Sequence, residues 1–249
     1  MDIDIAVRSL IGSRSEQQDS CTAFIQDSTA FAVICDGMGG HKGGAAASQL
    51  AVSMIAEACK TEHPRNIPAF FLKTAEKTNS AVRELCDDFG RRLGAGTTVA
   101  AAAVTDEGLY WLSVGDSRIY LFRGGRFTQI TEDHTYRRQL EEDLKSKKID
   151  RATYEAEQPK AASLISCLGM NRLGRVNMNI KPLPLLQGDR IVLMSDGLYK
   201  AFSEAEITRC IGGSAENTAA ALETLTASAG GRSLDNTTFI ILEYGSGGI

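Results

Sequence analysis

Long apolar runs and paired cysteines are absent from this 249-residue chain, and histidines are few. No run of about 18 apolar residues is present, the length a bilayer-spanning helix needs, so no membrane role is expected. The three histidines are His41, His63 and His134. The six cysteines (Cys21, Cys35, Cys59, Cys86, Cys167, Cys210) stand far apart with no C-x-x-C pair. That excludes a zinc signature and the disulfide framework of a small secreted scaffold, leaving reduced, mostly buried thiols. With no G-x-S-x-G, a serine-hydrolase triad would lack its usual punctuation. Positive charge is not in excess either: 27 Lys and Arg against 31 Asp and Glu leave a net charge of -4, no footprint for nucleic acid. The first residues, Met1-Asp-Ile-Asp4, are acidic where a secretory signal is basic, so the expected compartment is the cytoplasm.

What is present is an ordinary globular composition, 43% hydrophobic and 23% charged with 5 prolines. There is no shift of composition along the chain, no repeat and no low-complexity segment, so one domain over residues 1–249 is expected. From Ile3 to Val104 the pattern reads strand, strand, strand, two helices, strand, with helices at Ala45–Cys59 and Phe70–Phe89 inserted among the strands and packed on one sheet. Thr97–Val104, Leu109–Val114 and Arg118–Phe122, separated by turn residues, predict a consecutive antiparallel meander. Glu132–Arg151 is densely charged, with Arg137/Glu141 and Asp143/Lys147 at i,i+4, and reads as a solvated helix. The last third predicts a strand at Arg190–Met194, helices at Ser203–Cys210 and Glu216–Ser228, and a strand at Thr237–Tyr244. Ser203 and Glu206 are spaced as a capping box.

Three strands run into an aspartate: Phe31–Cys35 into Asp36-Gly37, Tyr110–Val114 into Gly115-Asp116, and Ile191–Ser195 into Asp196-Gly197. A fourth, Asp235, immediately precedes the strand from Thr237, and in an antiparallel sheet a strand's start lies beside its neighbour's end. Any one of these is an ordinary turn residue. Four on one rim repel unless cations neutralise them, and oxygen ligands without histidine or cysteine suit magnesium or manganese better than zinc. A glycine after such an aspartate leaves the backbone carbonyl free to turn toward an ion, which makes Gly37 a candidate carbonyl ligand. Two ions about 3.5–4 Å apart can hold a bridging hydroxide and aim it at phosphorus.

These residues resemble the metal-dependent phosphatases of type 2C, the PPM family, in the short bacterial form. The resemblance rests on Arg14-Ser-Glu-Gln-Gln-Asp19, Cys35-Asp-Gly-Met-Gly-Gly-His41, Gly96-Thr-Thr98, Val114-Gly-Asp-Ser-Arg118, Asp133-His-Thr135, Gly188-Asp189, Ser195-Asp-Gly-Leu198 and Asp235-Asn236, in the family's order. It implies an α+β fold, a four-layer α-β-β-α sandwich of two antiparallel sheets flanked by helices, with a metal cleft at one end. It further implies a serine/threonine protein phosphatase with two Mn2+ or Mg2+ ions and a place for a third. In that scheme Asp36 bridges two metals, Gly37 supplies a carbonyl, Asp196 and Asp235 hold the first metal, and Asp116 shares a third with Asp196. Arg14 stands where the family binds phosphate, and a guanidinium fork suits two phosphoryl oxygens. Asp19 resembles an outer-sphere residue holding metal-bound water, and by itself could equally cap a turn. The partners implied are phosphorylated proteins and a cognate Ser/Thr kinase, with the phosphatase a monomer.

The sequence departs from one version of the family pattern at Gln18, where many relatives carry glutamate; an amide adds no charge and puts a metal contact from that side chain in doubt. Met38, not histidine, follows Asp36-Gly37, and His41 comes three residues later. His41 is a candidate general acid, or it orders the glycine-rich turn or caps the next helix. Asp133-His-Thr135 opens the segment that forms a mobile flap in the family, which makes residues 132–151 a candidate substrate contact. Other readings fare worse. Gly37–Gly44 misses both nucleotide-loop spacings at Lys42, and Asp2-Ile-Asp4 lacks the apolar strand a dehalogenase-type nucleophile pair requires. Retention of the four aspartates argues against a pseudophosphatase, whereas small phosphoesters remain open as substrates.

Overall fold

The computed structural model describes residues 2–39, 43–62, 64–229 and 234–245. Strands β1 (Ile3–Leu10), β2 (Asp19–Gln26) and β3 (Thr29–Met38) come first, then helices α1 (Gly43–Glu62) and α2 (Ile67–Arg83). Five strands follow: β4 (Gly96–Thr97), β5 (Val99–Thr105), β6 (Gly108–Val114), β7 (Arg118–Arg123) and β8 (Arg126–Gln129). Helices α3 (Tyr136–Lys145) and α4 (Arg151–Glu157) precede β9 (Asn177–Met178) and β10 (Arg190–Met194). The chain closes with α5 (Asp196–Ala201), α6 (Glu204–Cys210), α7 (Ala215–Ala227) and β11 (Thr237–Tyr244). One sheet has the order β1-β11-β10-β7-β8 and the other β2-β3-β5-β6-β9, with β4 on β3, and every pairing is antiparallel.

The period of two along each strand divides the side chains among three apolar layers. In β3, Ala30, Ala32 and Ile34 face Ile191, Leu193, Ile240 and Leu242 of the opposite sheet. The intervening Phe31, Val33 and Cys35 face Ala47, Ala51 and Ile55 of α1 and Phe71 of α2. On the other side, Val192, Met194, Phe239 and Ile241 pack under Leu198, Ile207, Ala219 and Leu222 of α5, α6 and α7. Both faces of both sheets are therefore covered, and the central strands are apolar without interruption. The result is the four-layer α-β-β-α sandwich that the resemblance implies.

The meander is corrected. β5 and β6 pair, but β7 leaves for the other sheet, where it lies between β10 and β8. The crossing is made at Gly115, whose φ of +104° is a region open to glycine, and a Cβ there would lie 2.6 Å from Thr98 Cγ2. Two predicted helices are also shortened. α2 stops at Arg83, because the Asp87 carboxylate takes the N–H groups of Phe89 and Arg91 into a turn. The charged segment is two helices, interrupted at Lys147 (φ 59°) and restarted by Asp150, whose side chain accepts from Thr153 N–H. The capping box at Ser203/Glu206 forms as its spacing predicts. α5, a six-residue helix beginning at Asp196, is not among the elements predicted from the sequence.

Candidate active site

Five aspartates converge on one end of the sandwich, and each is placed by a different joint. Asp19 and Asp36 are Cα partners across β2 and β3, although like charges directly opposite each other weaken a sheet. Asp36 is pinned through its backbone: its N–H donates to Thr98 Oγ1 at 2.9 Å, and its carbonyl accepts from Thr97 Oγ1 and Thr98 N–H, both at 2.9 Å. Asp116 sits at the crossing between the sheets. Asp196 starts α5 at the end of β10, and Asp235 leads into β11, which lies beside β10 with Ser195 N–H donating to the Thr238 carbonyl at 2.9 Å. The expected rim is formed, and it spans both sheets.

Glycines let these joints close. A Cβ on Gly37 would lie 2.1 Å from the Gly44 carbonyl oxygen, so the end of β3 and the start of α1 can meet only as glycines. A glycine at position 37 is thus required by that close approach. A Cβ on Gly197 would lie 2.1 Å from the Asn236 carbonyl oxygen, which ties α5 to the Asp235 turn in the same manner. Asn236 then secures the loop before β2: its Nδ2 donates to the carbonyls of Ile11 and Glu16, and its Oδ1 accepts from Gln18 N–H. Within that loop Arg14 reaches back to Asp235 with Nη2–Oδ2 at 2.7 Å, both side chains solvent-exposed. Gln18 contributes its carbonyl to Gly37 N–H and to Ser48 Oγ, and its side chain lies beside Gly44.

The electrostatics are those of acid that Arg14 and Lys200 compensate only in part. Burial, then Asp19, Asp196, Asp116 and Asp235, pushes the Asp36 carboxyl well above the usual carboxylate range. Burial raises Asp19 to about 6, against hydrogen bonds from Ser195 and Thr238, with Asp196 and Asp235 adding to the rise. Asp19 Oδ2 accepts from Ser195 Oγ at 2.7 Å, while its buried Oδ1 has no hydrogen-bond partner. Asp116 is also raised, first by burial; Lys200 and the Tyr199 hydroxyl, which is 3.1 Å from its Oδ2, pull the other way. Lys200 forms ion pairs with both Asp196 and Asp116. Burial disfavours its ammonium, and Asp196, Asp116 and Asp36 more than offset that.

Around this row lie residues to which the sequence assigns no role. His134, 3% exposed, accepts Gly115 N–H on Nδ1 at 3.1 Å and returns its own backbone N–H to the Gly115 carbonyl at 2.9 Å, clamping the crossing loop. Burial, helped by Arg175, lowers its pKa to about 4, so the ring is neutral and can accept. Arg118 holds Asp133 with two nitrogens and stacks on the Tyr199 ring, 3.5 Å from its centroid. A cavity of about 230 Å³ opens among Asp116, Arg118, Arg137, Tyr199 and Lys200, so the 132–151 segment borders the carboxylates through Arg137. A larger cavity of about 680 Å³ adjoins the other flank, between Ile11, Ser13, Leu234 and α7. His41 lies outside the described residues.

No three His, Cys, Asp or Glu side chains among the described residues are already gathered closely enough to grip one metal ion. The residues nonetheless fit divalent cations. The donors are hard oxygens, a buried Asp19 oxygen lacks a partner, and burial together with the neighbouring aspartates raises the Asp36 carboxyl, a penalty that added cations would relieve.

The α-β-β-α sandwich is shared by solved serine/threonine phosphatases. The serine/threonine phosphatase of S. agalactiae has a similar structure, with a TM-score of 0.79 at 26% identity over 97% of this chain and 99% of that one. The catalytic domain of the serine threonine protein phosphatase PstP, solved in complex with 2 manganese ions, has a TM-score of 0.76 at 28% identity over 97% of each chain. The serine/threonine phosphatase stp of Listeria innocua is 30% identical over 186 residues, 73% of this chain and 71% of that protein. The chain belongs to the protein phosphatase 2C family, whose model matches residues 8–235. It is accordingly a protein phosphatase enzyme. No helix among the described residues is long and apolar enough to cross a membrane.

Proposed function

We propose that residues 1–249 act as one catalytic domain that hydrolyses phosphoserine and phosphothreonine in phosphorylated proteins, using divalent cations held by the aspartate row. The observation that carries this reading is the gathering of five aspartates at one end of the sandwich, with Asp19 opposite Asp36 and a buried Asp19 oxygen left without a partner. Asp36, Asp196, Asp235 and the Gly37 carbonyl would hold two Mn2+ or Mg2+ ions, with Asp19 positioning water beside them. When bound, such a pair brings water toward ionisation near neutral pH and polarises the phosphoryl oxygens for in-line hydrolysis.

The chain's own residues supply the rest. Arg14 exchanges its exposed pair with Asp235, worth little in water, for two phosphoryl oxygens, a bidentate contact that orients the substrate and neutralises charge developing on it. Thr97 and Thr98 keep the Asp36 backbone still, and Asn236 keeps the Arg14 loop against the Asp235 turn. Arg137 faces the site from the 132–151 segment and contacts the substrate polypeptide. His41 protonates the departing side-chain oxygen. A serine/threonine kinase acting on the same proteins is the opposing partner, and the enzyme works as a cytoplasmic monomer.

The test is turnover of a phosphothreonine peptide with and without manganese, for the wild type, Asp36→Asn and Asp196→Asn, with folding checked by circular dichroism. Manganese-dependent turnover lost in both folded variants is the expected result. A folded wild type inactive with every divalent ion, or an undiminished Asp36→Asn, would refute the mechanism. Running p-nitrophenyl phosphate in parallel separates a protein phosphatase from an enzyme of small phosphoesters.

A further inference from the structure

The third-ion position implied by resemblance lies between Asp116 and Asp196, and in this chain a side chain already stands there. Lys200 is four residues after Asp196 on α5, the spacing at which helical side chains meet, and its ammonium pairs with the Asp196 carboxylate. The same nitrogen is 3.7 Å from Asp116 Oδ2. From the other side the Tyr199 hydroxyl lies 3.0 Å from the Asp116 carbonyl oxygen and 3.1 Å from Oδ2. Asp116 is thus approached by two consecutive residues of one helix.

The helix that carries Lys200 is held firmly. Leu198 is fully buried, Gly197 abuts the Asn236 carbonyl, and the Tyr199 ring lies under the Arg118 guanidinium, itself tied to Asp133. A lysine on such a base delivers its ammonium to a narrow region, with the stem half-exposed and the charge directed at the carboxylates.

We infer that Lys200 is a built-in cation that takes the place of a third metal ion at Asp116 and Asp196. The ammonium shares the charge of two carboxylates that would otherwise repel, and a divalent ion entering between them would have to displace it and then sit beside a like charge. Asp36, Asp235 and the Asp196 oxygen that Lys200 does not take are left to the two remaining ions. The enzyme then depends on two ions and has no low-affinity third step in its response to manganese. This inference rests on the two-ion reading above.

Manganese binding measured directly, by equilibrium dialysis with elemental analysis at concentrations up to the millimolar range, tests it without recourse to activity. The wild type is expected to bind two ions. Lys200→Ala and Lys200→Gln are expected to bind one more, the added site at least about tenfold tighter than any third site in wild type, and Lys200→Arg, which keeps the charge, is expected to remain at two. Lys200 is half-exposed, so these variants keep the fold, and adding Asp116→Asn to Lys200→Ala should remove the extra ion. A third ion on the wild type, or no gain in either neutral variant, would overturn the inference while leaving the two-ion reading intact. A wild type that binds no manganese would overturn both.

Discussion

Replacing Asp19 by asparagine should stabilise the metal-free protein and weaken the metal-loaded one. Burial and its acidic neighbours raise the Asp19 carboxyl from the ordinary 3.8 to about 6. A folded-state value above the unfolded one means that the folded chain holds the proton more tightly. The contribution to stability is therefore fully present below about 3.8 and is lost as the pH rises through about 6. At pH 7.5 the loss amounts to about 3 kcal/mol, since each pH unit between the two values is worth about 1.4 kcal/mol. The substituted asparagine would carry no charge and could still accept from Ser195 Oγ, though its amide hydrogens would face the position where Asp19 Oδ1 now lacks a partner. Allowing for that, a net gain of about 2 kcal/mol is expected, or about 4–8 °C in melting temperature for a chain of this size. The assay is thermal unfolding in chelator at pH 7.5 and pH 4.5, repeated with saturating manganese. Asp19→Asn should melt higher than wild type at pH 7.5, the gap should narrow at pH 4.5, and manganese should raise the wild type by more than the variant. A metal-free Asp19→Asn variant that melts below wild type at pH 7.5 would refute this account of the buried carboxylate.

Two other outcomes follow from single joints. Gly197→Ala places a Cβ 2.1 Å from a backbone oxygen, so α5 or the Asp235 turn must shift; a loss of about 2–3 kcal/mol in urea unfolding is expected, together with a fall in turnover. His134 has its folded-state pKa lowered to about 4, so it favours the fold fully above its ordinary 6.5, and that contribution is lost as the pH falls through about 4. Denaturant titrations between pH 7 and pH 4 should show wild type losing about 2 kcal/mol, allowing for solvent screening, that His134→Gln does not lose.

Much of the fold was legible because it is local. The alternating strands, the capping box at Ser203 and the final strand at Thr237–Tyr244 depend on residues a few positions apart, and they occur where their patterns place them. The helix predicted to continue to Phe89 failed because apolar spacing persists beyond Arg83 while the Asp87 turn ends the helix. The meander failed for a different reason. Three short apolar strands joined by turns look the same whether they share a sheet or divide between two, and only the pairing of β7 with β10 shows which. Within the site, the aspartates were readable from their repeated setting at strand ends. Lys200 stands four residues after Asp196, but a six-residue helix is too short for its period to show in the sequence. In the sequence His134 is only the middle residue of Asp133-His-Thr135, and nothing there shows that it clamps the Gly115 loop.

By itself the sequence determined the chemistry at hand: oxygen donors without histidine or cysteine ligands, glycines beside the acids, and a lysine four residues after Asp196. The tertiary structure decided what those groups meet. Asp19 opposes Asp36 only through the register of β2 and β3, Asp116 approaches Asp196 only because β7 changes sheets, and α5 reaches Asn236 only because Gly197 lacks a side chain. Charge repulsion, burial and close approach act through space. Residues far apart along the chain acquire these energies only when two packed sheets bring them to one end of the sandwich.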